Sequence, residues 1–211
     1  MHTYITFVLD SSGSMARIQE DTKGGFNAFL KEQIEEEGTA SVSLYEFDSS
    51  VELVYHAEPI ESAPELTSEN YRPGGNTALY DALVEAIDTT GDHVEALSVR
   101  ARPDNVIIAV VTDGRENASE TPRDVVWERV KDRRENDGWE FLLVGANQDA
   151  ALTAESMGMD RDNSLNMHHS NEGAASAMQS TSRSIARARR KGDTGGFTDV
   201  DRRWQDEAGS Q

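Results

Sequence analysis

Residues 105–112, Asn-Val-Ile-Ile-Ala-Val-Val-Thr, are the most apolar run in the chain. A strand with one face in water alternates polar and apolar side chains. This run does not alternate, so it is predicted to be buried on both faces. Strands of that kind belong to parallel sheets, whose neighbouring strands are joined by crossover helices that cover the two faces. The run therefore requires the rest of the chain to supply further strands separated by amphipathic helices.

The remaining sequence meets that requirement. Residues 3–9, "TYITFVL", and 139–146, "WEFLLVGA", read as two more buried strands. Between them lie helical patterns: Ile18, Phe26, Phe29, Leu30 and Ile34, ending at Gly38; then Leu79, Leu83, Val84, Ile87, Val94 and Leu97. A third helix is expected from Thr121 as N-cap, with Pro122 first, Asp124 third, and Val125, Val126, Trp127 and Val130 as its stripe. Gly24 and Gly25 each weaken the first helix by about 1 kcal/mol relative to alanine. "ASVSLYEFD" and "VELVYHA", separated by Ser49 and Ser50, read as a hairpin. Residues 57–76, with three prolines, read as a long loop. A short helix at 149–158, an edge strand at 163–167 and a last helix at 171–191 follow. The expected fold is α/β: a doubly wound, mostly parallel sheet with one antiparallel hairpin strand and helices on both faces. Ligands of such sheets sit at the carboxyl ends of the strands, where the strand order reverses. Asp10 and Asp113 are both predicted at carboxyl ends.

At 211 residues the chain suits one substantial domain and a tail. No apolar stretch approaches the ~20 residues that span a bilayer. No basic, apolar and small-residue segments stand in series at the N-terminus, so a cytoplasmic location is expected. Cysteine is absent, which removes disulfides, thiolate catalysis and zinc–thiolate sites. The net charge of -19 argues against nucleic-acid or anionic-membrane partners, since both select a positive field. Only Lys23, Lys31, Lys131 and Lys191 are lysines. An acidic, lysine-poor surface suits work in high salt, and it equally suits a soluble acidic protein encoded with arginine-rich codon usage.

Three stretches carry chemistry: "DSSGS" at 10–14, "GGNTALYDAL" at 74–83 and "VTDG" at 111–114. Each delivers a hard oxygen just after a strand or at the start of a helix. Asp10, Ser12, Ser14, Thr77 and Asp113 are two carboxylates and three hydroxyls, the donor set of a hard divalent ion: Mg²⁺ first, with Mn²⁺ or Ca²⁺ as alternatives. Taken singly each has a plainer reading. Asp10 and Thr77 suit helix caps, and Asp-Gly is a common turn. The joint order around strand ends is what points to a metal.

This pattern of Asp-x-Ser-x-Ser, a later Thr and an Asp in a Thr-Asp-Gly loop resembles the metal-ion-dependent adhesion site of von Willebrand factor A domains. "VLDSSGSM", "GGNTALYDAL", "VVTDGRENAS" and "FLLVGANQDA" look like blocks of small stand-alone members of that family. Asn76 stands directly before Thr77, where a shorter glycine loop is also common. The resemblance covers roughly residues 3–168. It implies a Rossmann-like sheet with the metal at its top edge, ligated directly by Ser12, Ser14 and Thr77, and directly or through water by Asp10 and Asp113. A partner protein's carboxylate would complete the shell. Adaptor roles beside ATPases are common among such domains. The implied organisation is a von Willebrand A domain at 1–168, a C-terminal helix packed on it at 169–191, and a loosely ordered tail at 192–211.

No catalytic residue is expected. The rival reading is a Mg²⁺-dependent phosphoryl-transfer enzyme. Phosphatases with an aspartyl nucleophile carry a second Asp two residues on, where this chain has Ser12. No P-loop or Gly-x-Ser-x-Gly elbow is present either. A structural or assembly subunit is a third reading. His93, His168 and His169 offer nitrogen ligands for a transition metal, but none has a His partner at i+4 on a helix, and solvent-exposed side chains are the expected reading. The basic segment 183–191 is expected to hold the last helix against acidic surface rather than to recruit a partner.

Overall fold

The computed structural model describes residues 1–146 and 149–209. Six strands form one sheet: β1 (His2–Asp10), β2 (Thr39–Phe47), β3 (Val51–Pro59), β4 (Asn105–Thr112), β5 (Glu140–Gly145) and β6 (Ser164–Asn166). The helices are α1 (Gln19–Ile34), α2 (Leu79–Ala96), α3 (Arg123–Asp137), α4 (Ala150–Ser156), α5 (Asn171–Lys191) and α6 (Asp199–Ala208). Strand order is β3-β2-β1-β4-β5-β6, and every pairing is parallel except β2 with β3. This is the Rossmann-like α/β architecture expected from the sequence.

The run that demanded a parallel sheet is buried on both faces. Ile107, Ala109 and Val111 join Phe7, Phe26, Phe29 and Met178 in the core under α1 and α5. Val106, Ile108 and Val110 join Tyr4, Leu83, Ile87 and Val130 in the core under α2 and α3. Full burial of such side chains stabilises by roughly 1.5–3 kcal/mol each. β1 and β4 are adjacent and lie where the chain's strand order turns outward in both directions, so the ends of these strands open a crevice.

Several local expectations change. α1 starts at Gln19 after a short 3-10 turn at Gly13–Arg17, and Ile34 is exposed. Gly25 is there for packing: a Cβ would lie 2.8 Å from Met178 Cβ, so this glycine lets α5 close on α1. α3 starts at Arg123 with Pro122 in the cap position, so Thr121 is not its cap. Thr121 N–H and Glu120 N–H instead donate to Asp81 in the first turn of α2, at 2.8 and 3.0 Å. Val126 and Val130 are its buried residues, while Trp127 is exposed. Residues 192–211, expected to be loosely ordered, hold α6 as far as the described residues run. Thr198 and Asp201 form a capping box there, and Phe197 is buried.

The basic segment does what charge suggested. Arg189, 4% exposed, donates to Gln33 O and Oε1 and to the carbonyls of Glu36 and Gly38, closing the C-terminal end of α1. Arg190 pairs with Glu36 and Arg183 with Asp201. Among the described residues no helix is long and apolar enough to cross a membrane.

Candidate metal site

Parallel register places Leu9 of β1 beside Val111 of β4, so Asp10 and Thr112 end the two strands side by side. Asp10 has no exposed surface. Its Oδ1 accepts the Ser12 N–H at 2.7 Å and its Oδ2 accepts Thr112 Oγ1 at 2.5 Å. Its carbonyl accepts the hydroxyl of buried Tyr71 at 2.7 Å. Among the described residues these donors are hydroxyl and amide groups, and none is a cation. Burial raises the Asp10 carboxyl above its ordinary range, the hydrogen bonds from Ser12 and Thr112 pull it back, and the charge of Asp113 adds to the rise. A cation among these oxygens would reverse that burial penalty.

The turn after Asp10 is fixed by backbone. Ser11 N–H donates to Phe47 O at the end of β2, and Gly74 N–H and Gly13 N–H tie the 74–75 loop to the 11–13 turn through Ser11 O and Gly75 O. Ser12 Oγ and Ser14 Oγ then lie 3.2 Å apart, and Ser14 Oγ donates to Asp113 Oδ1 at 2.5 Å. Gly75 has φ of 71°, a conformation that favours glycine, and a Cβ would come within 2.9 Å of Asp48 Oδ2.

Thr77 is delivered by the third loop. Its N–H donates to Asn117 Oδ1, and Asn117 N–H returns to Thr77 O, each at 3.0 Å. Ala78 N–H donates to Asp48 O at 2.7 Å. Gly114 completes the cradle. A Cβ there would lie 2.7 Å from Thr77 Oγ1 and 3.6 Å from Asp10 Oδ2, so a side chain would fill the space onto which these oxygens open. The donors fit a hard divalent ion: anionic and neutral oxygens meet around a space kept open by glycine. Among the described residues no three His, Asp or Glu side chains gather as a metal-holding group, so the hydroxyls carry much of such a site.

All five residues singled out in the sequence lie at this sheet edge. Ser12, Ser14 and Asp113 are linked directly, and Thr77 approaches Asp10 across Gly114. Sequence reasoning missed three supports. Thr112 and Tyr71 hold Asp10, and Asn117 holds Thr77; the hydroxyl of Thr112, directly beside Asp113, was the one visible signal. It also misread His169. That side chain is 15% exposed rather than solvated, and its Nε2 lies 2.7 Å from Asp113 Oδ2.

Comparison with known proteins agrees with the fold. No curated protein sequence matches the chain. Among solved structures, the pilus adhesin SpaC from Lactobacillus rhamnosus GG aligns with TM-score 0.67 at 13% identity, over 88% of this chain and 30% of that one. Proximal thread matrix protein 1 from the mussel byssus, in a structure with a zinc-occupied MIDAS motif, aligns with TM-score 0.62 at 13% identity, over 88% and 46%. The vWF domain of the type V pili tip protein Mfa5 from Porphyromonas gingivalis aligns with TM-score 0.56 at 12% identity, over 87% and 94%. The chain thus spans about half the length of the mussel protein. At these identities the likeness is one of fold. The family model for the von Willebrand factor type A domain matches residues 5–181, most of the chain, and this protein belongs to that family.

Proposed function

We propose that the chain is a divalent-metal-dependent protein-binding module. Asp10, Ser12, Ser14, Thr77 and Asp113 would hold the ion, and a carboxylate of a partner protein would complete its coordination. The observation that carries this reading is the convergence of the loops after β1 and β4 and the loop entering α2 on a buried Asp10 whose donors, among the described residues, are all neutral. With Asp10 and Asp113 acting through water, the direct ligands would be the three neutral hydroxyls, and the ion would keep the capacity to attract a further anionic oxygen. The oxygen set suits Mg²⁺, with Mn²⁺ or Ca²⁺ as alternatives. The neighbours described as adhesin, pili tip protein and zinc-occupied MIDAS support the same reading of the fold's use. A cytoplasmic adaptor role, for example beside an ATPase-containing complex, and the absence of catalysis are parts of this proposal.

Calorimetric titration with Mg²⁺ and Mn²⁺ tests it, with and without an acidic peptide. Asp10→Asn and Thr77→Val should each weaken metal binding by about 10–100-fold while leaving the fold intact. Acidic peptide should tighten the metal, and metal should tighten the peptide by the same factor, because the two binding free energies are linked. Equal metal affinity in wild type and both variants would sink the reading. So would Mg²⁺-dependent phosphate-ester turnover that Asp10→Asn abolishes.

A further inference from the structure

The turn between β2 and β3 walls a groove that borders the candidate metal site. Ala78 N–H, directly after Thr77, donates to Asp48 O at 2.7 Å, and Asn76 N–H donates to Ser49 Oγ at 2.9 Å. Ser11, between Asp10 and Ser12, lines the same groove, and its hydroxyl donates to Phe47 O at 3.1 Å. The loops that would hold the ion and the turn that walls the groove are thus braced against each other. The groove has a volume of about 320 Å³, and its charged lining sets Glu46, Asp48, Glu52 and Glu69 against Arg72.

An acidic groove on a chain of net charge -19 would mean little by itself. Glu46 distinguishes this one. It is 8% exposed and lines the groove, and its Oε1 is buried without a hydrogen bond. Its neighbours leave it so. Glu52, opposite on β3, is another carboxylate. The Tyr55 hydroxyl, raised by burial and then by the charge of Glu46, is itself buried without a hydrogen-bond partner. Arg72 is exposed, commits its Nε to Ser68 O at 3.2 Å, and forms no ion pair with Glu46. A buried acceptor that has given up water and gained no donor is a cost that a ligand can remove. Burial and the charge of Glu52 raise this carboxyl to about 7, in line with an anion that lacks a cation.

We propose that the groove receives an arginine side chain of the same partner whose carboxylate completes the ion's shell. This rests on the metal-binding module reading above and specifies its partner: a segment with an arginine a few residues from the metal-binding acid. Ser11 lines the groove and Ser12 belongs to the ion site, so a short extended segment, at about 3.3 Å per residue, reaches both. Guanidinium suits the groove because its rigid fork of donors matches carboxylates and it stays charged when partly desolvated. Glu46 supplies a buried acceptor and Glu52 an exposed one beside it. The arginine also answers a difficulty for the partner as a whole. A purely acidic segment is repelled by a surface carrying this chain's excess negative charge, and a cation next to the acid offsets that repulsion.

The probes are short peptides with one aspartate and, a few residues away in a series of spacings, either arginine or its uncharged isostere citrulline. They are titrated calorimetrically into the full chain with saturating Mg²⁺ near pH 8, where Glu46 is ionised. The best-spaced arginine peptide should bind about 5–20-fold more tightly than its citrulline counterpart. Glu46→Gln should cut that preference to less than about twofold, and Glu52→Gln, at an exposed position, should cut it partway. Circular dichroism checks that both variants are folded. Thr77→Val should weaken both peptides alike. Equal, metal-dependent affinity of the two peptides would overturn the arginine groove and leave the module reading intact. A preference that survives both glutamate substitutions would overturn it too, since general attraction to an acidic surface would then suffice. A preference that Glu46→Gln removes but that needs neither Mg²⁺ nor Thr77 would uphold the groove and overturn the metal reading. No binding of either peptide would overturn both.

Discussion

Two residues carry the sharpest consequences because each is set by a single contact distance or charge. Gly114 stands where a methyl group would press on Thr77 Oγ1 at 2.7 Å. Gly114→Ala should therefore push Thr77 out of the cradle and weaken metal binding by about 10–100-fold. It should lower fold stability by only about 1–3 kcal/mol. Titration of the folded variant checks this, and unchanged affinity would show that Thr77 is not a ligand. Glu46 is a different case. It is 8% exposed on β2 and faces Glu52 across the hairpin. Burial first, then the charge of Glu52, raises its carboxyl from 4.5 to about 7. The folded state then holds the proton more tightly than the unfolded chain does. Its contribution is fully present below pH 4.5 and is lost as pH rises through about 7. Glu46→Gln should differ little from wild type near pH 4, below the unfolded value of 4.5. Near pH 8 it should be more stable than wild type by on the order of 2 kcal/mol, the shift discounted for water in the neighbouring groove. Urea denaturation at the two pH values reads the difference, and an equal offset at both would refute the shift.

At the scale of elements, the contact between α1 and α5 decides how the C-terminal third of the chain sits. α5 buries small residues, Gly173, Ala174, Ala177, Ser180, Thr181 and Ser184, and meets α1 at Gly25. Gly25→Ala should improve local helix propensity by about 1 kcal/mol and still destabilise the protein. The methyl would meet Met178 at 2.8 Å, an overpacking cost of typically 1–3 kcal/mol. A thermal scan showing a raised midpoint would mean that the helices separate freely. The same contact shows what could be read beforehand. Strand and helix order followed from periodicity, because both faces of β1 and β4 had to be covered. The gathering of Asp10, Ser12, Ser14, Thr77 and Asp113 at one sheet edge followed from motif order around strand ends and a helix start. The packing of α5 and α6 did not, since a stripe of Ala and Ser has almost no hydropathy contrast. Nor did the position of His169, which depends on a turn braced by Gln205, a residue 36 positions further on in a helix that composition alone had suggested would be loose.

For the molecule as a whole, charge is the dominant unbalanced term. With 39 acidic and 20 basic residues, the folded chain confines 19 uncompensated negative charges. Screening acts on two opposed contributions. It weakens exposed pairs such as Arg129–Asp88 and Lys31–Glu65, which are worth about 0–1 kcal/mol each. It also relieves repulsion among all the excess carboxylates, whose range shrinks from about 30 Å at 0.01 M salt to about 3 Å at 1 M. Arg189 donates from a buried position, and screening hardly reaches it. Repulsion involves many more charges than the exposed pairs do, so salt should stabilise the fold. In the presence of a chelator, to set aside specific ions, the melting midpoint should rise by several degrees between about 0.05 and 1 M NaCl, each 1 kcal/mol amounting to about 2–4 °C for a chain of this size. A flat or falling midpoint would mean that the ion pairs outweigh the excess charge. A chain that folds only at molar salt would make the acidic surface an adaptation to salinity. A protein already folded at low salt and gaining only these few degrees would make it a matter of composition, and would leave the closest local juxtaposition of negative charge at the sheet edge, where Asp113 raises the carboxyl of buried Asp10.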